Sequence, residues 1–335
     1  MNHDLENVRR LAAKLRENLA KCAEDPGVEP VHDTRTGTRR LQATLEDLVR
    51  QSPAGEAGEP MRAAATATMK TLKKIRRAAA PVRDLDVHRR LLEKLVRRAV
   101  EPRDNKDQKA FREPAGNNTP NLLETAEAGL RTTALEQQAD DLDAWLKHRR
   151  DEQAGGLKAQ TNDLITRFDK RLGELEAALH AQRARRARKK SPGVVALDAF
   201  ARLASEMQVL DATNLHDFRK GAKKARYVAE LAAQGDAQAK QVGETLKKLQ
   251  DEIGDWHDWL VLAEEAHAAL GERATDLTAL IEGEREQHFV AAMNTATKLR
   301  GRLMGEWLAV SRRPVTRAAS PARKRPAGTL HRAAS

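Results

Sequence analysis

The 335-residue chain contains one cysteine, Cys22, and its only aromatic residues are four Trp, one Tyr and five Phe. A single cysteine excludes an internal disulfide and a cysteine-built metal site, and it suits a reducing compartment. The shortage of aromatic residues argues against a β-sandwich or barrel. No apolar run reaches the roughly 18 residues that span a bilayer, and the start, MNHDLENVRRLAAK, lacks the apolar core of a secretory signal. We therefore expect a cytoplasmic protein that does not associate with membranes.

The residues that are abundant are charged and helix-forming. Charged residues make up 33% of the chain and the net charge is +11, which favours a polyanion as partner. Ala, Leu, Glu, Lys and Arg predominate, and all of them favour helix. Seven of the basic residues and no acidic ones fall in residues 311–335, which we expect to be a disordered basic tail. The remainder carries only +4, so a binding site there requires local clustering of basic residues.

Two segments interrupt the helical pattern. Residues 51–60 predict a short loop, and residues 101–120, with three prolines, predict a longer one. Between and beyond them apolar residues recur at helical spacing, as in Leu164, Phe168 and Leu175. The predicted helix that contains these three residues leads into a basic run, RARRARKK, at 183–190. The run is equally consistent with a solvated helix end and with contact to a polyanion.

An internal repeat is the most informative feature of the sequence. VHDTRTGTRR at 31–40 matches LHDFRKGAKK at 215–224, 184 residues later. LKKI at 72–75 matches LKKL at 246–249, and VRDLDV at 82–87 aligns with WHDWLV at 256–261. Two blocks in the same order indicate that the chain is two copies of one helical unit.

The first repeated block forms an amphipathic helix when it is placed on a helical wheel. His32, Arg35 and Arg39 share one face, and the leucines that follow at 41, 45 and 48 share the opposite one. In the second copy the polar face carries His216, Arg219, Lys220, Lys223 and Lys224. Gly37 and Gly221 flank the apolar side, where the missing side chain lets another helix approach closely.

The repeated blocks, together with LQDEIGDWHD at 249–258, resemble the signature of the CHAD family, the conserved-histidine α-helical domain. The resemblance spans roughly residues 1–310 and implies two pseudo-symmetric helical bundles with a basic junction. It further implies binding of inorganic polyphosphate, with association with polyphosphate granules. The contacts that it implies are His32, Arg35, Arg39, Arg40 and Arg83 in the first half and His216, Arg219, Lys223, Lys224 and His257 in the second.

Polyphosphate suits this pattern on physical grounds. Basic side chains three or four residues apart on a helix form a row with a spacing of about 5 Å, which can follow a line of phosphates. Arg binds phosphate through two parallel hydrogen bonds, whereas Lys acts as a point charge. Lys220 on the second polar face is a further predicted contact. Four lysines are equally consistent with an extension of this row from neighbouring helices and with solvated helix faces: Lys73, Lys74, Lys247 and Lys248.

These observations predict an all-α protein with a first half at 1–190 that includes an extended helical arm, a second half at 191–310 and the tail. The predicted function is non-catalytic polyphosphate binding, with no cofactor and no metal site. One alternative is nucleic-acid binding, aided by the tail, although the scattered aromatics offer no base-stacking platform. Another is a metal-dependent phosphohydrolase built on His–Asp pairs such as His32-Asp33. Adjacent residues point to different sides of a helix, so several pairs would have to converge.

Overall fold

The structure is a computed structural model that describes residues 3–52, 58–100, 122–181, 192–230, 236–271 and 275–312. The predicted loop at 101–120, the basic run at 183–190, nearly all of the predicted tail and the centre of the loop at 51–60 lie outside these residues. Within them the chain forms eight helices and no strand, which confirms the all-α prediction. The helices are α1 (His3–Glu24), α2 (Val28–Gln51), α3 (Glu59–Val100), α4 (Leu122–Ala181), α5 (Pro192–Glu206), α6 (Leu215–Glu230), α7 (Ala237–Leu270) and α8 (Thr275–Ser311).

The packing of the helices repeats after α4. In the first half α1 packs on α2, α2 on α3, α3 on α4 and α4 back on α1; α5 to α8 repeat this order. The first four helices enclose one core, with Leu15, Leu41 and Phe168 fully buried, and the last four enclose another around Phe200 and Phe218. The order in which the helices pack on one another agrees with the duplication predicted from the sequence. The halves differ most at the fourth helix, since α4 has 60 residues and α8 has 37.

A third apolar cluster joins the two halves. It is formed by residues of α3, α4, α7 and α8, and Leu142, Trp259 and Leu262 lie at its centre with 2% exposure or less. Beside this junction α2 contacts α6 and α3 contacts α7. The apolar contacts therefore hold the two repeated blocks side by side and leave their polar faces to form the surface between them.

The local sequence explains the orientation of α2 and α6. Leu41 and Leu45 are fully buried, as the helical wheel predicts, and so is Phe218 in α6. Gly221 lies so close to α5 that a Cβ atom there would be 2.4 Å from Leu203 Cδ1, so the predicted close helix approach is confirmed. With the apolar side fixed in this way, the cationic faces of α2 and α6 turn toward the junction of the halves. None of the helices in the described ranges is long and apolar enough to cross a membrane.

Candidate functional site

A cavity of about 390 Å³ lies where α2, α3, α6 and α7 meet, and both halves line it. Six of its lining residues are Lys or Arg, four are His, and two are carboxylates. The lining residues are His32, Arg35, Thr36, Arg39, Arg83, Asp84, Val87, His88, His216, Arg219, Lys220, Lys223, His257, Asp258 and Val261. The excess of basic groups gives the cavity a strongly cationic character.

The structure brings nine of the predicted site residues together in this cavity and leaves six outside it. The nine are His32, Arg35, Arg39, Arg83, His216, Arg219, Lys220, Lys223 and His257. Among the six, Arg40 and Lys247 line a neighbouring cavity and Lys74 lines a groove between α3 and α4. Lys73, Lys224 and Lys248 are exposed. A helical wheel gives the face on which a cation lies but not the direction in which that face turns, so these six were not separable by sequence alone.

The equivalent arginines of the two copies are held differently. Arg35 Nη1 donates to Asp84 Oδ1 at 2.7 Å and to the Ala80 carbonyl oxygen at 3.0 Å. Arg219 Nε donates to the Gln250 carbonyl oxygen at 3.0 Å. Its guanidinium lies over Gly254, where a Cβ atom would be 2.5 Å from Arg219 Nη2. Each guanidinium is thus fixed at the cavity wall, one partly neutralised and the other held by a neutral carbonyl.

Arg39 and Lys223 occupy equivalent positions and are both half-buried. No hydrogen bond or ion pair joins either of them to another residue in the described ranges. Burial lowers the pKa of Arg39, and nearby Arg35 and Arg219 lower it further. Burial, reinforced by Arg39 and Arg219, lowers the pKa of Lys223 to about 6. Uncompensated cations of this kind are costly, and an anion in the cavity would relieve that cost.

Two histidines stack on each other at the cavity wall. The ring centroids of His216 and His257 are 3.9 Å apart, with a tilt of 38°. The Nδ1 atom of each is buried and has no hydrogen-bond partner among the described residues. Burial, together with His216 and Arg219, lowers the pKa of His257 to about 4, and burial also lowers the pKa of His216. Both rings are therefore largely uncharged at physiological pH in the free protein.

The carboxylates Asp84 and Asp258 also line the cavity, and the site predictions did not include them. Their signal was present in the second repeated block, because they occupy the same aligned position in VRDLDV and WHDWLV. Burial raises the pKa of Asp258, while Arg219 opposes the shift. His88, also not predicted, is 2% exposed and its Nδ1 lies 2.6 Å from Glu265 Oε2, which links α3 to α7 below the cavity. The second repeated block thus supplies part of the cavity wall, and His88 and Glu265, which lie just outside that block, anchor α3 to α7.

A second cavity, of about 970 Å³, shares Thr36 and Arg39 with the first. Arg40, Arg226 and Lys247 are among its cations, and α1 closes its far side. Tyr227, the single tyrosine of the chain, also lines it, and its buried hydroxyl has no partner in the described part of the chain. The two cavities therefore form neighbouring basic compartments on either side of Arg39.

The His–Asp pairs do not converge on a common point in the described residues. No group of three or more His, Cys, Asp or Glu side chains there has the arrangement needed to hold a metal ion. The chemistry that the cavity offers is the binding of anionic oxygen atoms by guanidinium, ammonium and imidazole groups.

The fold and the cavity define an all-helical protein of two repeated four-helix units with a cationic junction. The CHAD domain model matches residues 6–267, most of the chain, and the chain therefore belongs to the CHAD domain family. The fold is similar to the crystal structure of the CHAD domain from the plant Ricinus communis, with a TM-score of 0.50 and 16% sequence identity. That match covers 87% of this chain and 88% of the plant chain. A comparison with curated protein sequences returned no match.

Proposed function

We propose that the cavity between α2, α3, α6 and α7 binds inorganic polyphosphate without catalysing its hydrolysis. The observation that carries this proposal is that basic residues from both copies of the repeat line one cavity. Arg35 and Arg39 from α2 face Arg219 and Lys223 from α6 across it. Only Arg35 among these four forms an ion pair within the described residues, so Arg39, Arg219 and the Lys223 amine are left without a competing carboxylate partner.

The lining favours a bare phosphate chain over a nucleic acid. Apart from the four histidines, no aromatic side chain from the described residues lines the cavity, so stacking of nucleobases has no platform there. A volume of about 390 Å³ suits a segment of a few phosphate units rather than a duplex. The neighbouring cavity, reached past Arg39, offers a continuation for longer chains.

The absence of catalysis is part of the proposal. Within the described residues neither cavity is lined by a serine or a cysteine, and Asp84 is engaged by Arg35. The arrangement suits a binding surface that contacts the anionic oxygens of successive phosphate units and does not single out one phosphorus atom for attack. Association with polyphosphate granules would follow from this binding. Incubation with polyphosphate and Mg²⁺ or Mn²⁺ should release no orthophosphate, and release above the rate without protein would contradict this part.

A charge-reversal comparison tests the location of the site. In one variant Arg35, Arg39, Arg219 and Lys223 are changed to Glu; in the matched control the exposed Lys73, Lys74, Lys224 and Lys248 are changed to Glu. Both variants change the formal charge by the same amount. Filter retention of long polyphosphate at low salt should fall by more than about 100-fold for the cavity variant, because several charge-assisted contacts are lost together. The control should lose about tenfold or less, through weaker long-range attraction.

Three outcomes of this experiment would count against the proposal. Equal losses in the two variants would place binding on the general basic surface, and no retention by the unmodified chain would reject polyphosphate as the ligand. Displacement of bound polyphosphate by DNA at equal charge would favour the nucleic-acid alternative. Circular dichroism melting curves of each variant check that it is folded.

A further inference from the structure

Lys223 lies in an environment that opposes its charge from every side. On α2 it faces Arg35 and Arg39, and on its own helix it lies near Arg219 and Arg226, whose charges all lower its pKa. No carboxylate among the described residues pairs with it. Burial is the main cause of the shift of its pKa to about 6. Since this pKa lies below 7.5, most of the Lys223 amines in the free protein are uncharged at pH 7.5.

The neighbours of the stacked histidines, His216 and His257, also oppose a positive charge on these rings. His257 faces His216 and Arg219 on α6 and Asp84 and His88 on α3, and of these four neighbours only Asp84 favours its protonated form. His216 lies beside Arg219, Lys220 and Lys223 and next to Asp217. Asp217 is already paired with Lys220 at 3.0 Å. The two rings are 3.9 Å apart and cannot both become charged without an anion close to them.

Neither carboxylate of the cavity forms an ion pair with Lys223 or with the two histidines in the described part of the chain. Asp84 is engaged by Arg35 at 2.7 Å. Burial raises the pKa of Asp258, which disfavours its charge. A phosphate chain in the cavity would stabilise the protonated forms of Lys223 and the histidines and would also favour protonation of Asp258. The pKa values of all these groups therefore rise when an anion enters the cavity.

We propose that binding of a linear polyanion in this cavity is coupled to proton uptake, with Lys223 as the principal acceptor and the His216–His257 pair as a second one at lower pH. This inference rests on the proposed function and adds to it a regulatory property of the same site. The empty cavity lacks part of its positive charge, and the ligand restores it by drawing protons from solvent.

The sign of the pH dependence follows from linkage. The complex holds more protons than the free protein, so affinity falls as pH rises. For one proton taken up completely, the dissociation constant increases about tenfold per pH unit, and we expect this slope between about pH 7 and 9. Below pH 6 Lys223 is already charged in the free protein, so its contribution to the slope disappears.

Isothermal titration calorimetry of the full chain with long-chain polyphosphate tests this inference. The titration is run at pH 7.5 in buffers with different ionisation enthalpies, because the observed heat then varies with the number of protons exchanged. Long chains keep the titrating end groups to a negligible fraction of the ligand. We expect uptake of about one proton for each cavity filled.

Substitutions of two neighbouring lysines identify the acceptor. Lys223→Arg keeps a cation at the site, but guanidinium remains protonated, so this variant should bind without proton uptake and with a flat pH profile above pH 7. Lys223→Met should bind more weakly and also take up no proton. The exposed Lys224→Arg is the matched control and should take up as many protons as the unmodified chain. The Lys223→Arg variant keeps the inference testable if the Met variant does not fold.

The outcomes separate this inference from the proposed function. Binding with no dependence on buffer ionisation overturns proton coupling and leaves polyphosphate binding in place. Uptake that persists in Lys223→Arg overturns the assignment to Lys223. The absence of any binding heat or retention rejects the proposed function, and this inference falls with it.

Discussion

In the first half of the chain the cavity is lined by Arg35, Arg39 and Arg83, whereas Arg219, Lys223 and His257 occupy the equivalent positions in the second half. Two of the three pairs thus replace an arginine by a residue whose charge depends on pH. The arginines of the first half stay protonated throughout the physiological range. Lys223 and His257 have pKa values of about 6 and about 4, so the second half is largely uncharged at these two positions when empty.

The comparison shows how duplication can divide one task between two copies. The first half provides permanent charge, part of which Asp84 compensates through Arg35. The second half provides groups that become charged when an anion is present. A fully permanent site would carry a larger electrostatic cost when empty, because like charges would be buried together without a counter-ion.

The largest expected effect comes from removing equivalent cations one at a time. Arg39→Met should weaken polyphosphate binding by about 30-fold at all pH values from 6 to 8.5, since a charge-assisted contact is lost. Lys223→Met should cost roughly 500-fold at pH 6 but only a few-fold at pH 8.5, because at high pH the native lysine must first be protonated. Calorimetric titrations at three pH values measure both variants. Parallel pH profiles would show that the two halves do not differ in this way.

A smaller effect is expected where the two copies differ by a methyl group in the wall. Gly254 leaves room for the Arg219 guanidinium, and Ala80 occupies the aligned position in the first half. Gly254→Ala should displace the guanidinium and weaken binding by about fivefold, while its melting temperature stays the same or rises, because Ala favours helix by about 1 kcal/mol over Gly.

The reverse substitution, Ala80→Gly, provides the comparison. It should leave affinity unchanged and lower the free energy of unfolding by about 1 kcal/mol. Denaturant unfolding and calorimetry measure the two quantities separately. If Gly254→Ala binds normally, the position of Arg219 over Gly254 is not needed for binding.

The smallest effect concerns the ion pair that only the first half forms. Asp84→Asn should release Arg35 for the ligand and tighten binding by about two- to fivefold, a modest gain because Asp84 is 53% exposed and solvent already screens the pair. Asp169→Asn, which removes the carboxylate paired with Arg16 at 3.0 Å outside both cavities, is the matched control and should leave affinity nearly unchanged. A loss of affinity in Asp84→Asn would mean that this carboxylate orients Arg35 rather than competing with the ligand.

Much of the fold was accessible from the sequence because periodicity and duplication determine it. The spacing of Leu41 and Leu45 identified the buried face of α2, and the repeat predicted that α6 would mirror it. Gly221 signalled a close helix approach, which Leu203 provides. These features depend on local geometry or on equivalence between the two copies, and the amino-acid sequence alone shows both.

The site was accessible only in part. The repeat related Arg35 to Arg219, but the rotation of α3 and α7 about their axes depends on packing between halves. That rotation turns Lys73 and Lys248 to solvent while Arg83 and His257 reach the cavity. Burial of Lys223 likewise results from the meeting of α2 and α6. A sequence pattern gives residue types at a face, whereas desolvation depends on what covers that face.

Because the cavity takes its walls from α2 and α3 of one half and from α6 and α7 of the other, neither half contains a complete site. Joining two copies in one polypeptide makes their meeting an intramolecular event, with an effective concentration set by the tether. Two separate copies would form the same cavity only by dimerising, and site occupancy would then vary with the amount of protein. Fusion of the copies makes the number of sites proportional to the number of chains, even when the protein is scarce.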